Sequence, residues 1–220
     1  MPIFGVTINL GCVPFKLSLL LPKAFSFLDT LSQERLFMKK SLLLVSVLLA
    51  FSLSAYFPTN SPAKDLILTN VPVQIYFSPR GGCTEAIVAE LNKTKSEMIL
   101  VQAYSFTSKP IAKALVDAHK RGVYTEIILD KSQKTAKCSA ADFTCHMGIP
   151  TYIDSVHGIA HNKVMIIDRE VVITGSFNFT RAAEWNNAEN LLIIRSKELA
   201  REYLENWEKH KGHSEVYTGR

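Results

Sequence analysis

Two short apolar runs, Val164-Met165-Ile166-Ile167 and Val171-Val172-Ile173-Thr174, flank the polar break Asp168-Arg169-Glu170. Runs this short and this rich in β-branched residues favour strands over helices, and the pair reads as an antiparallel hairpin. Side chains two apart on a strand share a face. His161 and Lys163 therefore point one way where the first run begins, and Ser176 and Asn178 do the same after the second. Gly175 removes a side chain where the two runs end together, which would let a ligand approach the backbone closely.

The same reading applied along the chain predicts alternating strands and helices before the hairpin. Val71 to Phe77 alternates and forms the first strand, confined by Pro72 to an edge or a strand start. After a turn over Ser78 to Gly82, Thr84 to Lys93 has a helical face made by Ala86, Ile87, Ala89 and Leu91. Met98 to Phe106 is a largely buried strand. Ser108 is an N-cap with Pro110 in the first turn of the next helix, whose stripe is Ile111, Leu115 and Ala118 and which ends at Gly122. Further strands cover Val123 to Asp130, Ile149 to Ile153 and Glu189 to Arg195. A closing helix runs from about Lys197, with Leu199, Tyr203 and Trp207 four apart on one face. Strand and helix alternate early and hairpins dominate late, so the fold class is α/β with an α+β-like late half: a mixed sheet with helices on both faces. No internal repeat is found.

Upstream, Met38-Lys39-Lys40 precedes an apolar stretch of about a dozen residues that closes on small residues near Ala55. This is the pattern of a secretory signal peptide, too short for the about 20 apolar residues of a membrane span. The expected organisation is thus an upstream segment 1–37 lying before the true start at Met38, a signal 38–55, a linker 56–70 and one domain from 71 to 220, acting in the periplasm or outside the cell. Removing the leader changes the charge. The chain carries 25 basic and 20 acidic residues, of which five basic and two acidic precede Tyr56, leaving 20 minus 18, or +2. Attraction to a polyanion must then come from local clustering.

Three cysteines follow the leader. In an oxidising compartment Cys138 and Cys145, in a polar loop, could form a local disulfide, leaving Cys83 free; a zinc site of Cys138, Cys145, His146 and His157 is the alternative. His119 is read as a cation late on a helix, His157 as solvent-facing near the mouth of the hairpin, and His210 and His213 as part of a polar tail.

The chemistry-bearing residues read His161-x-Lys163-x4-Asp168-x6-Gly175-Ser176-x-Asn178. This string resembles the signature of the phospholipase D superfamily. Asn187-Ala188-Glu189-Asn190, with Ala103 to Ser108 and Arg121-Gly122-Val123 upstream, is similar to the small single-motif nuclease branch, so the resemblance covers about Val71 to Trp207.

What the resemblance implies is a metal-independent phosphodiesterase. A neutral imidazole attacks phosphorus to give a phosphohistidine, while an opposing acid protonates the leaving oxygen and later activates water. That requires two histidines and the chain holds one His-x-Lys, so the family pattern implies a homodimer sharing one composite site. His161 would serve as nucleophile in one subunit and acid in the other. Lys163, Ser176 and Asn178 would hold the phosphate oxygens, Glu189 would orient the imidazole and Asp168 would support the site. No carboxylate cluster accompanies the motif, so no metal and no cofactor is implied there. Nucleic acid, DNA or RNA, is the expected substrate. The alternatives are phospholipid hydrolysis and a non-catalytic nucleic-acid-binding module; no stable membrane partner is expected once the signal is cleaved.

Overall fold

A computed structural model of the chain describes residues 39–41, 63–94 and 97–220. The expected upstream segment, most of the export signal and the first half of the linker lie outside the described residues.

Asp65–Arg220 forms one compact unit built on an eight-stranded sheet. The strands are β1 (Val73–Ser78), β2 (Met98–Ala103), β3 (Tyr124–Asp130), β4 (Thr151–Asp154), β5 (Lys163–Ile167), β6 (Val171–Gly175), β7 (Glu189–Arg195) and β8 (Glu215–Tyr217). Their order is β1-β7-β6-β5-β2-β3-β4-β8. The β2-β3 and β3-β4 pairs are parallel and the others antiparallel. The mixed sheet follows from the connections. Helices α1 (Cys83–Lys93) and α2 (Lys109–Lys120) carry the chain between strands early, whereas a tight turn joins β5 to β6, and the short helix α4 (Arg181–Trp185) lies in the connection from β6 to β7.

Each strand sends alternate residues to opposite faces. Ile99, Val101, Ile127, Leu129, Met165, Ile167 and Ile173 join one core with Ile87, Leu91, Ile111 and Leu115 of α1 and α2. Met98, Leu100, Ile128, Val164, Ile166 and Val172 join a second core on the other face with Ala200 and Trp207 of the long helix α5 (Lys197–His213). Trp207 also donates its indole N–H to the Val101 carbonyl at 3.0 Å, satisfying the polar atom of a side chain that is otherwise wholly buried. Burial of each large side chain in these layers contributes about 1.5–3 kcal/mol.

Several local expectations change. β2 ends at Ala103, three residues early. Ser108 stands at the N-cap of α2 without a side-chain cap bond; its backbone N–H donates to Phe179 O instead. The loop assumed between β3 and β4 holds a short helix, α3 (Ala141–His146), and the closing tail adds β8 along the edge of β4.

α5 covers β4, β5 and β6 but leaves the same face of β1 open. Val73, Ile75 and Phe77 are 47%, 58% and 68% exposed there. They form an apolar strip on an edge strand, beside the half-buried Leu192 and Ile194.

Candidate active site

The β5-β6 hairpin turns on Asp168 and Arg169, both with left-handed backbone (φ 52° and 53°), the conformation that suits a two-residue turn between twisted strands. Asp168 Oδ1 accepts from the N–H groups of Glu97 and Met98, each at 3.2 Å. Asp168 therefore clamps the start of β2. It occupies the far end of β5 from Lys163, five residues or about 16 Å away by strand rise. The supporting role expected of it is therefore a structural one, exerted at the turn and not within the group of catalytic residues.

The other motif residues gather at the opposite end, where β1, β2 and β6 finish and β5 and β7 begin. Asn162 O accepts from Tyr104 N at 2.8 Å, which extends the β2-β5 ladder and fixes the loop carrying His161. The His161 ring is exposed and lies 4.6 Å, centroid to centroid, from Tyr104. Lys163, the first residue of β5, is buried; its Nζ donates to the His161 carbonyl at 2.8 Å and lies 5.0 Å from the Tyr104 ring. Both side chains thus share the Tyr104 wall, as residues two apart should. Burial pulls the Lys163 ammonium below its usual value, and the Glu189 charge works against that shift.

Glu189 opens β7. Its Oε2 accepts from Asn178 N and its Oε1 from Asn187 Nδ2, both at 2.8 Å, so neither oxygen is bonded to His161. The orienting bond to the imidazole that the family pattern implies is not made within the subunit; Glu189 instead ties down the backbone of Asn178 and sets the potential at Lys163. Ser176 Oγ accepts from Asn190 N at 3.0 Å. Asn178 Oδ1 is buried and has no partner among the described residues. Ser78, which sequence reasoning passed over as a turn residue, is buried and bridges Asn187 O and Glu189 N at 3.0 and 3.1 Å.

Gly175 has a different role from the one expected. A Cβ there would fall 2.3 Å from Asn190 O, and its φ is 145°. The close approach that requires glycine is that of β7, and it brings the β6 end against Glu189 and Asn190.

The thiols take no part. Cys138 and Cys145 are both unpaired, which corrects the expected disulfide. Cys145 lies on α3 with its Sγ 3.3 Å from Tyr217 O, whereas Cys138 is exposed in the preceding loop. Burial, reinforced by the Glu184 charge, pushes the Cys83 thiol up to about 11. Glu184 is a buried carboxylate that the sequence did not flag; it accepts from Gly82 N and Thr84 N at 3.1 and 2.7 Å and anchors the start of α1.

The His161 imidazole, the Lys163 ammonium and the unpartnered Asn178 amide stand at the same end of the sheet, and the first two are groups able to hold a small anion. A family model described as cardiolipin synthase, PLD-like domain, matches residues 87–211. The chain belongs to the phospholipase D superfamily. It is 46% identical over 145 residues to a Rickettsia typhi protein named phospholipase D, covering 66% of this chain and 71% of that one. The crystal structure of the phospholipase D family member Nuc from Salmonella typhimurium is 39% identical, with a TM-score of 0.64 over 67% of this chain and 99% of that one. NucT from Helicobacter pylori, 22% identical with a TM-score of 0.62 over 67% of this chain and all of that one, shares the fold. The phospholipase D superfamily chain is accordingly a phosphodiester hydrolase.

Proposed function

We propose that this phospholipase D superfamily member is a metal-independent endonuclease that acts as a homodimer. The observation that carries the reading is the setting of the half-site. Arg80, Lys109 and Arg181 are exposed on the segments that follow β1, β2 and Asn178, at the end of the sheet where the half-site lies, and Trp185 stands with Arg80 6.0 Å from its ring. Thr107 N and Ser108 N both donate to Phe179 O at 2.9 Å, which ties the loop before Lys109 to the segment that follows Asn178. A cationic rim with an exposed indole suits a polyanionic backbone and its bases, without base-edge recognition.

In the first step His161 Nε2 attacks phosphorus and forms an N–P bond as the O–P bond to the leaving strand breaks. The partner subunit's His161, protonated, gives its proton to the leaving oxygen. In the second step that imidazole, now neutral, takes a proton from water as the hydroxide oxygen bonds to phosphorus and the N–P bond breaks. Both Lys163 ammonium groups stabilise the five-coordinate phosphorus, and the Asn178 amide, turned so that Nδ2 faces inward, supplies a donor. Ser176 adds a further hydrogen bond. The uncovered strip Val73, Ile75 and Phe77 supports the second copy as partner: its strand ends at Ser78, which touches the Glu189 backbone, so a copy docked there comes up to the site. The signal-like segment 38–55 supports export to the periplasm or beyond.

One observation favours lipid as a second substrate class. A groove of about 790 Å³ between α2 and α3 is lined by Ala112, Val116, Ala140, Phe143 and Met147, an apolar surface suited to acyl chains. Plasmid nicking by the purified protein in EDTA, beside His161→Ala, separates the two. DNA loss that depends on His161 is the expected result. Intact DNA together with hydrolysis of phospholipid vesicles would overturn the nuclease reading in favour of the lipid one.

A further inference from the structure

Asp154, the last residue of β4, is wholly buried, and three imidazoles converge on it. Its Oδ2 lies 3.1 Å from His157 Nδ1, 2.7 Å from His210 Nδ1 and 3.4 Å from His213 Nε2; Oδ1 is 3.0 Å from His157 Nδ1. The four ligand atoms all fall within 4.8 Å of one another. The ring centroids are 4.8, 5.1 and 5.3 Å apart. His210 and His213 share a face of α5 through their three-residue spacing, and His157 stands three residues after Asp154 in the loop beyond β4.

Three nitrogen donors around one carboxylate oxygen exceed what hydrogen bonding requires. A tetrahedral zinc with bonds of about 2.0–2.1 Å holds its donors about 3.3 Å apart, within the span of the distances here. Neutral imidazole with one carboxylate is a donor set that suits zinc among the divalent ions.

We propose that Asp154, His157, His210 and His213 form a structural site for a divalent transition-metal ion, zinc by preference. Four protein ligands fill a tetrahedron and leave no open position for substrate, so the ion serves architecture and takes no part in the phosphate chemistry. What it joins is specific. α5 supplies two ligands, β4 one, and the loop from Ser155 to Asn162 the fourth, and this loop delivers His161. The loop is already held by Lys131 Nζ on His157 O at 3.0 Å, by Asp130 Oδ2 accepting from Ala160 N at 2.8 Å, by Ser155 Oγ on Glu215 Oε1 at 3.1 Å and by Tyr104 N on Asn162 O at 2.8 Å. The metal would add a further tether, between the end of the last helix and the approach to the nucleophile.

The test uses untagged protein, stripped with chelator and then incubated with zinc chloride. Metal analysis after gel filtration should give one zinc per chain, and the melting temperature should rise by on the order of 5 °C over the stripped protein. His157→Gln and His213→Gln change partly exposed rings, and α5 keeps its other anchors, Trp207 on Val101 O and Lys211 on Glu126 at 2.6 Å. Both variants should fold, melt like stripped wild type, and lose the stoichiometric zinc and the rise. Wild type that retains no zinc and melts identically with and without it would overturn the site, as would variants that bind zinc like wild type.

Discussion

Replacing Gly175 by alanine tests how tightly β6 must approach β7 for the site to exist. The new methyl would meet Asn190 O at 2.3 Å, Asn190 Oδ1 at 2.8 Å and Asn190 C at 3.0 Å. Two of these are backbone atoms of the neighbouring strand, so no side-chain rotation relieves the clash. The strands must part, and the bonds from Ser176 N and Phe177 N to Asn190 O, both 3.1 Å, are the first to stretch. Losing them costs about 1 kcal/mol each. Holding alanine at a φ of 145° costs a further 1–3 kcal/mol or so. The expected destabilisation is about 3–5 kcal/mol. It should appear in urea unfolding as a lower midpoint with little change in slope. Ser176 and Asn178 move with the strand end, so turnover on DNA should fall as well, measured well below the variant's midpoint. An unchanged midpoint with wild-type turnover would refute the packing argument, because the glycine would then be conformationally free.

Lys163→Met removes a buried ammonium and keeps the side chain's length. Turnover should fall about a hundredfold or more while stability holds or rises; wild-type rates would refute the assignment. Because burial depresses the folded-state value of Lys163 below 10.5, the wild type binds fewer protons folded than unfolded in the interval between the two. Its stability relative to Lys163→Met should therefore climb with pH through that window and level off above it, in denaturant titrations at stepped pH. Glu189→Gln takes away the charge that supports the ammonium, so the pH window over which stability climbs through Lys163 should begin at lower pH; a window that stays in place would detach Glu189 from Lys163.

Much of this arrangement was legible in the chain because it is local. The β5-β6 hairpin, the shared face of His161 and Lys163 and the edge position forced by Pro72 all follow from period-two patterning and one proline. What escaped depends on long-range pairing. Asp168 reads as a motif member, but a strand's length separates it from the other reacting groups. Glu189 looked free to reach the imidazole until the fold brought Asn178 N–H and Asn187 to its two oxygens. α3 is short and weakly patterned, and β8 exists only because β4 offers an open edge. The grouping of His157, His210 and His213 needed the end of α5 to return to β4. The spacing Asp-x2-His with a distant His-x2-His was nevertheless a signal that could have been weighed.

The two tryptophans divide the molecule between them. Trp207 is 1% exposed on the sheet-facing side of α5, and Trp185 is 48% exposed beside Arg80. Their emission should differ in colour, the core indole shifted to the blue and the rim indole to the red. Quenching by iodide reaches only the second. Substrate association and loss of the native state can then be followed separately in one unlabelled sample, with Trp185→Phe as the control that silences the rim.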